Sequence, residues 1–214
     1  AGLEHAMNER EAVRVLVVGG GPAGVEVAGN ARRLTWLSRD RIAVTLLSSS
    51  AVLPGWPDRA RTRALHSLTS RGVTVQEHTR VQRMEENCCI TATGKAIPFD
   101  MALVATGVTP PSVFRDSELS TGPGGGLLVN RFLQSVAHEN IFGTGDCIYF
   151  GDQPLDRIGV HAVRQAPLLT GNLLAAVRGR TLQPYRPRRT HLLILNMGDG
   201  TGVARYERFV WHGP

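Results

Sequence analysis

Val13-Arg14-Val15-Leu16-Val17-Val18-Gly19-Gly20-Gly21-Pro22-Ala23-Gly24-Val25-Glu26-Val27-Ala28 holds the change of periodicity on which the fold turns. Six residues, all β-branched or aliphatic except Arg14, read as a strand buried on both faces, the kind that lies inside a parallel sheet. Gly19-x-Gly21-x-x-Gly24 follows at once, and Val25, Val27, Ala28, Ala31 and Leu34 then recur at helical spacing. Glycine does something different at each position. Gly19 permits the tight turn, Gly21 lets the backbone approach a pyrophosphate with no Cβ in the way, and Gly24 lets the helix pack closely on the strand. Pro22 and Ala23 complete the turn and count with the glycines as cofactor-binding positions, because the helix N-terminus offers unpaired N–H groups and a positive dipole end. As a bare string GxGxxG is weak, and its alternative is a glycine-rich turn that binds nothing; the strand before it and the helix after it supply the context that dinucleotide binding requires.

Working outward, the helix is expected to stop near Trp36 to Arg41, and Ile42 to Leu47 is a second buried strand, completing a βαβ unit. Such a strand commonly ends in an acid that binds the adenosine ribose. Here Ser48-Ser49-Ser50 follows instead. Ser48 is therefore the coenzyme candidate at this place; no carboxylate repels a 2′-phosphate and no arginine lies closer downstream than Arg59, so NADH and NADPH both stay open. Residues 58–71 read as a helix capped by Gly72, and Val73 to Gln76 as a third strand. From Arg80 to Phe99 short alternating segments broken by Asn87 and Thr93-Gly94 predict an antiparallel β-meander in place of a second helical crossover. Met101 to Ala105 returns to the buried parallel type and ends in Thr106-Gly107. The double proline Pro110-Pro111 marks a boundary. Beyond it come a glycine turn (Gly122 to Gly126), a short apolar run at Leu127 to Val129, a helix over 162–178 and a β-like run at Leu192 to Leu195. Residues 1–12 have only weak helical character.

Composition sets limits on partners. The chain has 214 residues, enough for one large domain or two small ones, and its 42% hydrophobic content supports a buried core. The formal charge is +6, from 24 basic and 18 acidic residues. Lys95 is the only lysine, and the arginines are scattered; the nearest things to clusters, Arg59-Arg61-Arg63 and Arg186-Arg188-Arg189, lack the interleaved aromatics of single-strand binders. No nucleic-acid partner is expected. Cys88, Cys89 and Cys147 match no disulfide framework, redox pair or zinc spacing, so a reducing compartment is expected and no metal or thiol chemistry is assigned. No apolar run approaches the ~20 residues that cross a bilayer, and no leader is read at the start. The expectation is a cytoplasmic protein.

Three further stretches give the glycine motif a family. Ala105-Thr106-Gly107-Val108-Thr109-Pro110 ends the last parallel strand, Ile141-Phe142-Gly143-Thr144-Gly145-Asp146-Cys147 follows, and Glu26 stands just past the fingerprint. Together they resemble the FAD-dependent pyridine nucleotide-disulfide oxidoreductases, flavoproteins with two dinucleotide-binding domains. The likeness is greatest to type II NADH:quinone dehydrogenases and to the oxidoreductase module fused to selenide, water dikinase, which Tyr185-Arg186-Pro187-Arg188-Arg189 and Leu195-Asn196-Met197-Gly198-Asp199-Gly200 also resemble.

The resemblance implies an α/β, Rossmann-like FAD/NAD(P)-binding fold, a parallel sheet with an antiparallel β-meander crossover plus part of a split FAD domain. Residues 13–109 would bind NAD(P)H, 110–183 would be the C-terminal half of an FAD domain, and 184–214 a truncated C-terminal interface segment. Asp146 would accept hydrogen bonds from the ribityl hydroxyls of FAD, with Gly145 allowing close approach; an N-cap aspartate is the plainer, compatible reading. Glu26 would sit on the first helix turn near the nicotinamide, or serve as an ordinary first-turn acid favoured by the dipole. Thr106 and Gly107 would pass close to the coenzyme, and His161 and Gln165 would face the isoalloxazine or the quinone, although a histidine at a helix start is more often structural. The flavin, not a side chain, would carry the chemistry: hydride from NAD(P)H to FAD, then electrons to a quinone-like acceptor. Family members carry an earlier glycine fingerprint, absent here. The chain is therefore expected to be part of a longer enzyme, with weak or no FAD binding by itself, inactive in isolation and prone to self-association, the parent at most peripheral to the inner face of a membrane. The alternative is a non-catalytic dinucleotide-binding or oligomerising module.

Overall fold

Five of the six residues of β1 (Val13–Val18) are buried. Strand periodicity explains how. Val13, Val15 and Val17 point to one side of the sheet and join one apolar cluster, whereas Leu16 and Val18 point to the other and join a second. β1 therefore lies inside a four-stranded parallel sheet, with β2 (Ile42–Leu47) on one side and β7 (Met101–Val104) on the other, and β3 (Thr74–Gln76) beyond β2. Val13 pairs with Ile42 and Val18 with Leu47, in unbroken register. The computed structural model describes residues 12–34, 42–188 and 190–214. The expected helical character of the first residues and the expected helix stop at Trp36 to Arg41 lie outside the described residues, except at residue 12.

Two helices, α1 (Pro22–Leu34) and α2 (Asp58–Ser70), cover the Val13-Val15-Val17 side with apolar residues that are mostly small, Val25, Ala28 and Ala31 from α1 and Ala60, Ala64 and the larger Leu68 from α2. The opposite side is closed by the antiparallel meander of β4 (Val81–Met84), β5 (Cys88–Thr91) and β6 (Ala96–Pro98). Cys89, Ile97 and Phe99 pack there on Leu16, Val18 and Leu47. β5 alternates as a strand must: Cys89 is buried and Cys88 is not, and both thiols, like that of Cys147, are free. The chain enters β7 through Asp100, whose carboxylate takes the Arg14 backbone N–H at 2.7 Å and two bonds from its guanidinium at 3.0 and 2.9 Å.

The structure differs from the sequence reading in two places here. β7 was expected to be buried, yet all its residues keep some exposure, and Val104 is 63% exposed. β1 is its only strand neighbour among the described residues, so an apolar run typical of an inner strand stands at the sheet edge. The second difference concerns residues 184–214, read as one segment. The chain divides into two compact units, residues 1–107 with 192–214 and residues 108–191, so the tail parts at His191. Leu192–Pro214 forms the antiparallel sheet β10 (Leu193–Asn196), β11 (Gly202–Tyr206) and β12 (Phe209–Gly213). Its inner side chains Leu195, Met197 and Val203 belong to the core of β1, α1 and α2, while Ile194, Tyr206, Phe209 and Trp211 are exposed. Pro184 to His191 stays with the second unit because Tyr185 is buried in that unit's core.

The second unit is built on the parallel pair β8 (Leu127–Val129) and β9 (Ile148–Phe150), with the short α3 (Val113–Asp116) and the 19-residue α4 (Gly159–Val177). Leu127, Val129, Leu133, Phe150 and Tyr185 form its core, the last two ring to edge at 5.7 Å. α4 turns polar residues inward. His161, Gln165 and Asn172 are buried, while Val163, Leu174 and Val177 are exposed at 74, 51 and 88%. Asn172 closes the unit by bonding the carbonyls of Phe132 and Gln183 and the N–H of Gln183. Among the described residues no helix is long and apolar enough to cross a membrane.

If β10–β12 shares the core of the first unit, Leu195→Ala lowers stability by about 2–5 kcal/mol, whereas Ile194→Ala on the outer face changes it by no more than about 0.5 kcal/mol. Chemical denaturation of the two variants beside the unaltered chain measures this; equal, small effects would show that the sheet contributes nothing to that core.

Candidate functional site

The turn between β1 and α1 is closed by contacts that only glycine tolerates. Gly19 has φ of +126°, and a Cβ there would lie 2.2 Å from the Ala105 carbonyl oxygen at the end of β7. At Gly24 it would lie 1.7 Å from the Gly19 carbonyl oxygen, and at Gly20 2.1 Å from Ser48 Oγ. Gly21 is the exception, since a Cβ there would meet nothing within 4 Å. Gly19, Gly20 and Gly24 are thus filled by the protein itself, and Gly21 faces open space, the arrangement in which a backbone can approach a pyrophosphate. Backbone bonds hold the turn at both ends: Gly19 N–H to Leu47 O at 2.8 Å, Ala105 N–H to Val18 O at 2.7 Å and Leu53 N–H to Gly20 O at 2.7 Å. α1 has no acid in its first turn, so no fixed negative charge competes there with a phosphate.

The other expected coenzyme positions are distributed around this turn unevenly. Pro22 and Ala23 are exposed at the start of α1. Thr106 and Gly107 are exposed past β7, Gly107 with φ of +110°, and the Thr106 N–H lies against Gly19. Ser48 is turned inward: it is 3% exposed, with its hydroxyl over Gly20, and Ser49 and Ser50 are the exposed residues at the end of β2. Glu26, expected in the first turn of α1, is the fifth residue of that helix and lies past the turn, and it is committed elsewhere. Its Oε1 accepts the backbone N–H of Asn196 on β10 at 2.7 Å.

In the second unit the Thr144-Gly145-Asp146 segment is held by α4. The Gln165 side-chain oxygen, in a residue 1% exposed, accepts both the Thr144 hydroxyl and the Gly145 N–H at 2.7 Å. Gly145 has φ of +70°, and a Cβ there would press on Ala162 at 3.1 Å. Asp146 begins no long helix; it sits in a single 3-10 turn, Gly145–Cys147. Its carboxylate has no hydrogen bond or ion pair among the described residues, and only its backbone carbonyl is engaged, by Arg157 at 3.3 Å. A cavity of about 140 Å³ lies beside it, lined by Gly145, Tyr149, Asp156, Arg157, His161 and Gln165 among others. Gly145, His161 and Gln165 are therefore brought together, with Gln165 positioning the loop.

His161 belongs to a polar cluster, buried at His161 and Tyr185 and half-buried at Arg164 and His191, whose members no sequence pattern joins. Its Nδ1 is 3.2 Å from the Tyr185 hydroxyl, and its ring meets that of His191 edge to face at 4.9 Å. Arg164 Nη1 lies 3.2 Å from His191 Nδ1. A guanidinium only donates, so His191 Nδ1 accepts and its proton sits on Nε2. Burial, with His191 as the next cause, pushes the His161 ring below its ordinary value; burial, then Arg164, does the same to His191. Burial raises the Tyr185 phenol. No sequence spacing links residues 161, 164, 185 and 191, and only folding makes them neighbours. No cluster of three or more potential metal ligands exists among the described residues.

A parallel sheet whose first strand enters a glycine turn with one glycine left open, with a helix N-terminus aimed past it, defines a dinucleotide-binding α/β protein. The chain belongs to the pyridine nucleotide-disulphide oxidoreductase family, whose family model matches residues 2–167. It is 29% identical over 203 residues to ferroptosis suppressor protein 1 of Taeniopygia guttata, covering 88% of this chain and 52% of that one. To the mitochondrial internal alternative NAD(P)H-ubiquinone oxidoreductase A1 of Arabidopsis thaliana it is 28% identical over 147 residues, 65% of this chain and 29% of that one. Among solved structures, the NAD-dependent persulfide reductase from A. fulgidus superposes with a TM-score of 0.71 at 26% identity, over 95% of this chain and 37% of that one. The chain spans about half the length of ferroptosis suppressor protein 1 and less of the other two.

The histidine cluster gives a pH signature. Because both rings titrate below about 6.5 in the folded state, stability is complete above that value and declines as the pH falls through the lowered folded values. The thermal midpoint should therefore drop between pH 7.5 and 5, and His161→Gln should flatten the drop. An unchanged slope in that variant would show that His161 does not contribute to the pH dependence.

Proposed function

We propose that the chain is the nucleotide-handling part of a flavin-dependent NAD(P)H oxidoreductase that passes electrons to a quinone-like acceptor. The observation that carries this reading is the single open glycine, Gly21, among three that the protein closes on itself. The pyrophosphate of NADH or NADPH would sit over Gly21, against the first N–H groups of α1, with Thr106 and Gly107 bordering the coenzyme at the end of β7. The inward-turned Ser48 leaves Ser49 and Ser50 to meet the adenosine ribose, so neither coenzyme is repelled by charge.

The second unit fits one end of a flavin. Asp146 offers a carboxylate with no hydrogen bond or ion pair among the described residues, Gly145 an approach without a side chain, and the adjoining cavity a lining that mixes polar with apolar side chains. Asp146 would accept the hydroxyls of a ribityl chain, and Gln165, by fixing Thr144 and Gly145, would hold that carboxylate in place. A bound flavin supplies hydride acceptance and onward electron transfer, and the protein's own part is binding and orientation. His161, hydrogen-bonded to Tyr185 and held neutral, lines the cavity without carrying a charge into it.

Gly21→Ala separates binding from folding. With open space around the new Cβ, stability changes by no more than about 1 kcal/mol, while NADH affinity, read from coenzyme fluorescence, falls at least about tenfold. Gly24→Ala should instead unfold or strongly destabilise the first unit. Equal NADH affinity in Gly21→Ala and the unaltered chain would overturn the nucleotide site.

A further inference from the structure

α1 meets a second backbone besides those of the sheet. At its midpoint, a Cβ on Gly29 would lie 2.3 Å from the Met197 carbonyl oxygen, and one on Gly198, whose φ is +77°, would lie 2.4 Å from the Gly29 carbonyl oxygen. The helix and the turn after β10 therefore touch backbone to backbone, at a place where neither glycine can be replaced without movement. Polar contacts surround this point. Asn196 N–H donates to Glu26 Oε1 at 2.7 Å, Asn30 Nδ2 donates to the Glu26 and Asn196 carbonyls at 2.8 and 3.4 Å, and Arg71 bridges the Gly29 and Met197 carbonyls at 3.3 and 2.6 Å.

The turn is fixed equally well from its far side. Asp199 accepts the Ser67 hydroxyl at 2.7 Å and the Thr201 N–H and hydroxyl at 2.9 and 2.6 Å. Burial alone would raise the Asp199 carboxyl, but these hydrogen bonds and Arg71 hold it at about 2. The carboxylate stays ionised at any working pH, so the turn is not released by titration near neutrality. Leu195 and Met197 lie in the same core as Val25 and Ala28 of α1. Glu26 is two residues past Gly24, a rise of about 3 Å along the helix, so a shift of the turn is transmitted directly to the N–H groups that face the open glycine.

We propose that the Asn196–Gly200 turn is the positioning element of the nucleotide-binding helix, with Glu26 as its catch, so that seating of β10–β12 and binding of a dinucleotide pyrophosphate are thermodynamically linked. The inference rests on the reading of Gly19–Gly24 as the nucleotide site. Glu26 acts here as a hydrogen-bond acceptor for Asn196, not as a charge beside the nicotinamide. Linkage is reciprocal: what the turn does for coenzyme affinity, the coenzyme does for the order of the turn.

The experiment uses the full chain, NADH as the probe, and isothermal titration together with amide hydrogen exchange over residues 193–213. Glu26→Ala should weaken NADH about tenfold, and Glu26→Gln, whose amide oxygen accepts the same N–H, should restore affinity to within about threefold of the unaltered chain. Asp199→Asn, whose side-chain partners lie on α2, at Arg71 and in the turn, should weaken NADH several-fold and serves if Glu26→Ala does not fold. NADH should slow exchange in β10–β12. Equal loss in Glu26→Gln and Glu26→Ala would show that the charge itself is used and would overturn the proposal, as would unchanged affinity in Asp199→Asn together with unchanged exchange. An unaltered chain that binds no NADH would instead overturn the nucleotide site on which the inference stands.

Discussion

The approach of the Gly24 Cα to the Gly19 carbonyl is the constraint on which the first unit depends. A side chain at position 24 would lie 1.7 Å from that oxygen, so helix and strand can meet only where the chain carries no Cβ. The same turn accepts Ala105 from β7 on one side and Ser48 from β2 on the other, again through glycines. Three strands are thereby locked to one helix terminus by van der Waals contact, with backbone at Gly19 and Ala105 and with the Ser48 side chain at Gly20, contacts with little freedom to adjust. The one glycine left unfilled then acquires its meaning, because everything around it is rigid.

From that constraint the layers follow. β1 must carry apolar side chains on both faces, since α1 and α2 cover one and the β4–β6 meander the other. α1 must present small residues, and Gly29, which looks like a weak point in a helix, is the site at which the C-terminal turn comes within backbone contact. In the second unit the logic is reversed. α4 keeps His161, Gln165 and Asn172 inside because each satisfies backbone or side-chain groups that would otherwise be buried without partners; Leu168 and Leu169 pack on the same core, while Val163, Leu173, Leu174 and Val177 face outward.

The strands β1 and β2, the helices α1 and α2 and the meander were legible because each depends on neighbours in sequence. Period-two and period-3.6 patterns report directly on burial when a segment has one partner layer on a face. β9, β11 and β12 were not legible, being short and framed by glycine and charged residues with no run of alternation to read. The edge position of β7 was hidden for a different reason: Met101 to Val104 is as apolar as an inner strand, and exposure depends on what lies beside it. The division of the tail at His191 likewise depends on Tyr185 finding one core and Leu195 another.

The sequence by itself determined the βαβ unit, the glycine turn and the family, because those rest on residue type at fixed spacing, and a missing Cβ is a property of the chain before it folds. Only the tertiary structure decided which of the named residues face open space. It turned Ser48 into the glycine turn, tied Glu26 to Asn196, left the Asp146 carboxylate without a partner among the described residues and gathered His161, Arg164, Tyr185 and His191. Each of those outcomes is set by partners many positions away, and no local pattern encodes a contact between residues 26 and 196.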